Sequence, residues 1–446
     1  MNNAMTNPTT KRIEVNFDTY LECLRELMAF PTLFTRPDQI ESAMAWCREF
    51  LNRHLEGYKV YRDRQNNLIA CPEDIDFRKD IIYLSAHLDT VDADVSEWDA
   101  PFSPFSLYED ENQMVGRGVS DCKAGVAFEL FLATLAGSGQ INLSNLVFTI
   151  TFKEEGAGQK TARQIGNDLG ETLPISEKDT FFIVLENNIT VAAPPVLHFY
   201  TAERGNFVIR VSETIDRLKL ILSGLTQWNP VSIRPDTDAL GPDPAIFSQK
   251  GGHVCSVSRD ENLLTQIIEQ SENTDLLQAG DESGFGVVPS TIFKGSGESP
   301  VVHHLVLSNR SFDTLEEVRT QLEGIAYKEV KDFSISQGMN FDDAFLQHHL
   351  YRFLRDYSSD DLEINHTHNI GASDATIVTR CMPPELLHRF YPIVMGPGTR
   401  SQRHATPPRL THGKNETFEK QSGQAGVEFL ISILQELGGI LPGRRR

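Results

Sequence analysis

Long apolar runs are missing from this chain. Across its 446 residues no stretch approaches the roughly 20 that a bilayer-spanning helix needs, which excludes a membrane-embedded protein. Basic residues are scarce beside acidic ones, 41 against 62, and the formal net charge is −21. Such a surplus repels a phosphate backbone and no basic patch offsets it, so a nucleic-acid partner is excluded as well. The one dense basic run, Gly443-Arg444-Arg445-Arg446, reads as a solvated tail. Cysteine is sparse: Cys23, Cys47, Cys71, Cys122, Cys255 and Cys381 show no C-x-x-C spacing. That rules against a cysteine-rich zinc site or a disulfide framework and predicts reduced, mostly buried thiols. Between Met1 and Pro8 no positively charged region precedes an apolar one, so a secretory signal is not expected and a cytoplasmic location is.

What the chain does contain is alternating strand and helix signals, over a length that suggests two or three domains. Phe17, Tyr20, Leu21, Leu24, Leu27 and Met28 recur at helical spacing, and a second amphipathic helix is predicted from about Asp38 to Leu55. The run from Ile81 to Ala86 reads as a buried strand, followed by a helix from about Gly125 to Leu135 and a strand from Leu146 to Phe152. This alternation predicts an α/β catalytic domain with a central mixed sheet flanked by helices and ligand sites at strand ends. Between about Glu203 and Glu329 the texture changes to a smaller α+β unit, with strands at 207–211 and 301–307 and helices at 215–225, 261–270 and 315–325. The expected division is therefore 1–202 and 330–446 for one discontinuous domain, and 203–329 for an insert. In the last part, helices are predicted near 342–354 and 424–437.

Chemistry-bearing residues collect at the ends of these elements. His87-Leu88-Asp89 closes a buried strand, where an imidazole suits a metal and a carboxylate two residues on can orient the ring. A histidine there is also an ordinary structural residue. Gly116 to Gly125 is glycine-rich and opens a helix; its plain reading is a helix start capped by Ser120 or Asp121, and its functional one is a carboxylate held ionised at the positive end of the helix dipole. Glu154-Glu155 is an adjacent acidic pair at a strand end, which a cation or a shared proton would relieve. Glu186 closes the strand Phe181 to Leu185, and His412-Gly413-Lys414-Asn415-Glu416 precedes the last helix.

Taken together, these pieces resemble the co-catalytic metallopeptidase and deacylase family that includes aminoacylase, acetylornithine deacetylase, succinyl-diaminopimelate desuccinylase and glutamate carboxypeptidases. The matching segments run in order from Ser85 to Val91, through Trp98 with Pro101-Phe102, Gly116 to Gly125, Glu154 to Gly156, Glu186, Gly251-Gly252-His253, Gly371 to Ala375 and Gly396 to Gly398, to His412 to Glu416. The resemblance implies two divalent metal ions, zinc by the family's preference, with manganese or cobalt equally compatible with nitrogen and oxygen donors. Asp121 would bridge the ions, with His87 and Glu186 completing one site and Glu155 and His412 the other. Asp89 would hold the His87 ring and Glu154 would be the general base. The insert would form a homodimer contact and place His253 on the oxyanion, while Arg310 and Ser373 would face a small-molecule substrate bearing a carboxylate. As plain alternatives, His253 is a loop residue and Arg310 an internal salt-bridge partner.

The chain departs from the family pattern in three places. Extra material around 218–247 lengthens the insert; His404 competes with His412 for the late ligand position, with His412 favoured; and Lys153 precedes the glutamate pair where an acid is common, which predicts a lowered pKa for the base. The expected activity is hydrolysis of an amide bond in an N-acyl amino acid or short peptide. The alternatives are a non-peptide C–N bond, as in an aminohydrolase, and a non-catalytic binding protein on the same fold. Cys122 adjoins Asp121 along the chain but is not expected to belong to the site.

Overall fold

The computed structural model describes residues 13, 15–155, 160–203, 339–357, 361–367, 373–400 and 412–443, together with strands at 207–213, 287–294, 303–309 and 329–331. His253, Arg310, His404, Cys255, the segment 218–247 and the helices expected at 215–225, 261–270 and 315–325 lie outside these residues. The strands of 207–331 form their own four-stranded antiparallel sheet.

The centre of the molecule is a six-stranded mixed sheet. Its strands are β1 (Tyr58–Arg62), β2 (Leu68–Pro72), β3 (Ile81–His87), β4 (Leu146–Thr151), β5 (Thr180–Val184) and β6 (Phe390–Val394), in the order β1-β2-β4-β3-β5-β6. The pairings β1–β2 and β2–β4 are antiparallel, whereas β4, β3, β5 and β6 are mutually parallel. Every residue of β3, β4 and β5 is buried, which explains why these strands read as continuous apolar runs rather than as alternations.

Strand pleating divides those side chains between two cores. Ile82, Leu84, Phe148, Ile150, Phe181 and Ile183 face a cluster built with helices α1 (Phe17–Met28), α2 (Pro37–His54) and α3 (Lys123–Gly137). Tyr83, Val147, Phe182 and Val184 face the opposite cluster, with α4 (Lys160–Asp168) and α5 (Asp374–Cys381). A last helix, α6 (Lys420–Glu436), adds Val427, Leu430 and Leu434 to the first cluster. The result is the expected three-layer α/β/α arrangement. Helix α3 is apolar around nearly its whole girth because it is sandwiched between the sheet and the outer helices. Its approach to the sheet requires Gly125: a Cβ there would stand 2.3 Å from the Leu185 carbonyl oxygen.

Some expectations need correction. α3 begins at Lys123 without a side-chain cap, because the expected capping groups are used elsewhere: the Ser120 hydroxyl donates to Thr399 O at 2.9 Å, and Asp121 faces two imidazoles. The helix predicted over 342–354 is two helices, Asp342–Leu346 and His349–Asp356, interrupted where the His348 ring accepts from Leu350 N and starts the second. β6 was not anticipated, since Pro392 argues against a strand; the strand sits at the sheet edge, where proline is tolerated. Among the described cysteines, Cys23, Cys47 and Cys122 are buried while Cys71 and Cys381 are partly exposed, and all are free. No described helix is long and apolar enough to cross a membrane.

One residue of α3 breaks the apolar rule. Glu129 is fully buried, and neither of its oxygens has a hydrogen-bond partner among the described residues. Burial therefore pushes its carboxyl well above the ordinary value of 4.5, and the folded state favours the neutral acid. Because the folded pKa is raised, this group's contribution to stability is full below 4.5 and is lost as pH rises toward the folded value. Replacing Glu129→Met should accordingly raise unfolding free energy by about 1–3 kcal/mol at pH 8 and by less at pH 5, measured by denaturant titration. An equal gain at both pH values would contradict a buried neutral acid.

Candidate metal centre

The carboxyl ends of the parallel strands converge on one buried cluster, the place where open α/β sheets bind ligands. β3 ends on His87, β4 leads into Glu154 and Glu155, and β5 leads into Glu186. The loop before α3 supplies Asp121, and the loop before α6 supplies His412. Asp121 lies between the two imidazoles, its Oδ1 3.0 Å from His87 Nε2 and its Oδ2 2.9 Å from His412 Nε2. On one side Glu186 Oε2 stands 4.0 Å from His87 Nε2; on the other Glu155 Oε1 stands 2.7 Å from His412 Nε2. The side chains thus form two groups that share Asp121, namely His87 with Glu186 and His412 with Glu155. Ligating atoms of His87, Asp121 and Glu155 fall within 4.8 Å of one another.

These groups are strained electrostatically. Burial, with Glu155 beside it, pushes the Glu154 carboxyl well up. Burial and the Asp121 charge push Glu186 up to about 8. Burial raises Glu155 against the opposing pull of His412. Burial alone would lower the imidazoles, but Glu155 and Asp121 lift His412 to about 10, and the negative groups around His87 raise it well above the ordinary range. Asp121 alone is held well below the usual carboxylate range, despite its burial, by His412 and His87. Glu155 Oε1 is buried without a hydrogen bond of good geometry, although an imidazole nitrogen is only 2.7 Å away. Carboxylates and imidazoles packed this closely, with donor atoms aimed at one another, fit divalent cations that would neutralise the cluster.

Asp89 contacts more than the His87 ring. The His87 ring is held through Nδ1 by the Asp89 backbone oxygen at 2.9 Å, with the carboxylate farther away at 3.6 Å. The fully buried carboxylate also accepts the backbone N–H groups of Glu154 and Glu155 at 3.3 and 3.1 Å, so it fixes the acidic pair. The base is not lowered by Lys153, whose ammonium lies over the Phe152 ring at 5.2 Å. Ser373 lies at the start of α5. It is buried and caps α5, accepting from Ala375 N while its hydroxyl donates to Glu203 at 2.8 Å, so that hydroxyl is engaged inside the protein.

Several residues near the centre escaped the reading of the sequence. Asn187 donates to Asp121 Oδ2 at 3.1 Å. Asp374 is buried, accepts from the Thr151 hydroxyl at 2.8 Å, and is pushed up to about 6 mainly by burial. Cys122 comes closer than expected, its sulfur within 4.8 Å of donor atoms on His87 and Glu186. Its thiol donates to the Leu185 carbonyl, and burial pushes its pKa well up. Adjacency to Glu186 was the available signal for Asn187; nothing local marked Asp374 beyond its place beside Ser373.

Known proteins show the same architecture. A family model described as peptidase family M20/M25/M40 matches residues 83–436. Human carnosine dipeptidase 1 superposes with a TM-score of 0.60 at 16% identity, covering 94% of this chain and 97% of that one. The di-peptidase Dug1p from Saccharomyces cerevisiae gives 0.61 at 12% identity over 94% and 97% of the two chains. Sso-CP2, a metallo-carboxypeptidase from Sulfolobus solfataricus, gives 0.56 at 13% identity over 94% and 99%. No curated protein matches the chain in sequence. With its sheet, its cluster of donors at the strand ends and a family match extending over most of its length, the chain belongs to peptidase family M20/M25/M40.

Proposed function

We propose that the protein is a two-metal hydrolase that cleaves the C–N bond of a small, carboxylate-bearing amide, a short peptide or an N-acyl amino acid, with Glu154 as general base. The observation that carries this reading is the sharing of Asp121 between His87 and His412 at hydrogen-bond distance, with a separate glutamate beside each ring. His87, Asp121 and Glu186 would hold one ion, and Asp121, Glu155 and His412 the other. Zinc is the proposed metal, and the nitrogen and oxygen donors also suit manganese or cobalt. When bound, the ions supply Lewis acidity that polarises the scissile carbonyl and makes water more acidic.

The chain's own groups perform the proton transfers. Glu154 takes a proton from the attacking water and delivers it to the leaving nitrogen. Burial and Glu155 raise its affinity for that proton. The Asp89 carboxylate, by gripping the amides of Glu154 and Glu155, keeps the base and a metal donor in fixed relation. His253 as oxyanion donor and Arg310 as partner of the substrate carboxylate complete the proposal from the 203–329 insert, which would also form the homodimer contact. A cytoplasmic location completes it.

Three outcomes follow. Glu154→Gln should keep its metal, measured by elemental analysis, while kcat falls by roughly 10²–10⁴ on a peptide or acyl-amino-acid substrate; full turnover would remove Glu154 from the mechanism. Prolonged dialysis against a chelator should abolish hydrolysis, and added zinc, manganese or cobalt should restore it; activity that survives metal depletion would sink the two-metal reading. His412→Ala should lower the bound metal per chain, whereas His404→Ala should leave it at the wild-type level, and the reverse result would transfer the late ligand to His404.

A further inference from the structure

Glu416 reaches the metal centre through the backbone. Its Oε1 accepts the N–H groups of Ser120 at 3.0 Å and Asp121 at 2.9 Å. Its Oε2 accepts Gly118 N–H at 2.9 Å and Arg117 Nη1 at 2.8 Å. Arg117 Nη2 also donates to Gly413 O at 2.8 Å, and Gly116 N–H donates to the Glu416 carbonyl at 3.0 Å. The turn that presents these amides needs Gly118, whose φ is +83° and whose added Cβ would collide with the Thr90 methyl. Amides converging in this way form a cradle for one anion, and here the anion is a side chain of the protein itself. The neighbouring Asn415 ties the same loop to a third segment, donating to Asp99 Oδ2 at 2.7 Å and accepting Asp99 N–H at 3.2 Å.

We propose that Glu416 is a positioning residue for the metal centre: a single carboxylate sets the distance between Asp121 and His412. The inference rests on the two-metal reading above. Asp121 is the last residue of the segment Glu416 grips, and His412 stands four residues before Glu416 on the other. His412 has a φ of +61°, a left-handed conformation that disfavours a non-glycine residue, so the loop needs an external hold to keep the ring in place. Arg117 and Glu416 are 4% and 2% exposed, and their pairing lets the clamp be charged without adding net negative charge to a site already crowded with carboxylates. Truncation of either partner alone would leave the other charge buried and unmatched.

The test compares wild type, Glu416→Gln, and the double variant Glu416→Gln with Arg117→Met. The glutamine turns an NH2 group toward one pair of donors that Glu416 satisfies, while the double variant removes the stranded guanidinium and restores charge balance. Zinc affinity of the full chain is read by competition with a chromophoric chelator, amide exchange over 116–122 by mass spectrometry, and kcat and KM on the same preparations. Both variants, or the double variant if the single one does not fold, should bind the weaker ion roughly 10–100-fold less tightly, exchange faster over 116–122, and lose kcat with KM within about threefold. A folded variant with wild-type zinc affinity, even one of lower thermal stability, would overturn the proposal by making Glu416 a purely structural residue. Wild-type protein that binds no divalent ion would overturn the reading of the centre itself, a result distinct from a variant that binds as the wild type does.

Discussion

The structure turns on one problem, how to keep several carboxylates together in a protein interior. Asp121, Glu154, Glu155 and Glu186 meet at the carboxyl edge of the central sheet, and burial drives the three glutamates toward the neutral acid. Asp121 stays ionised because two imidazoles close on its two oxygens. In water such a cluster would separate; the fold prevents this by placing each residue just past the end of a buried strand or at the mouth of a helix. Divalent cations would convert that repulsion into binding energy, and the hydrolytic chemistry then follows from the same charges.

Supporting carboxylates do a second kind of work. Asp89 spends its oxygens on the amides of Glu154 and Glu155, and Glu416 spends its oxygens on Arg117 and the loop ending at Asp121. Neither side chain needs to touch a substrate to matter. A carboxylate that accepts backbone N–H groups fixes the segment that donates them. The chain's formal charge of −21 therefore says little about the centre, where anions are matched by amides, imidazoles and one guanidinium.

Much of this was legible in the sequence, for identifiable reasons. β3, β4 and β5 are buried on both faces, so each writes a continuous apolar run, and the polar residues just beyond stand out. His87, Asp121, Glu155, Glu186 and His412 come together where the strand ends and helix starts implied. β6 was hidden by Pro392, and α4 and α5 are too short for their periodicity to declare itself. The hydrogen bonds were less legible than the ligands. Asp89 was expected to orient His87 through its side chain; its backbone oxygen at 2.9 Å and its carboxylate at 3.6 Å both face the ring, and the backbone contact was the part no pattern announced. The bond from Gly118 to Glu416 joins residues 298 positions apart, a closeness that no local pattern encodes. Nor does any local pattern encode the bond from the Ser373 hydroxyl to Glu203, 170 positions away.

The most direct test of the central claim is anomalous diffraction from crystals of the metal-loaded protein, collected at the absorption edge of the bound metal. Two peaks flanking Asp121 are expected, one also meeting His87 and Glu186, the other meeting Glu155 and His412. A single peak, or peaks that leave Asp121 uncoordinated, would contradict a centre organised around a shared carboxylate.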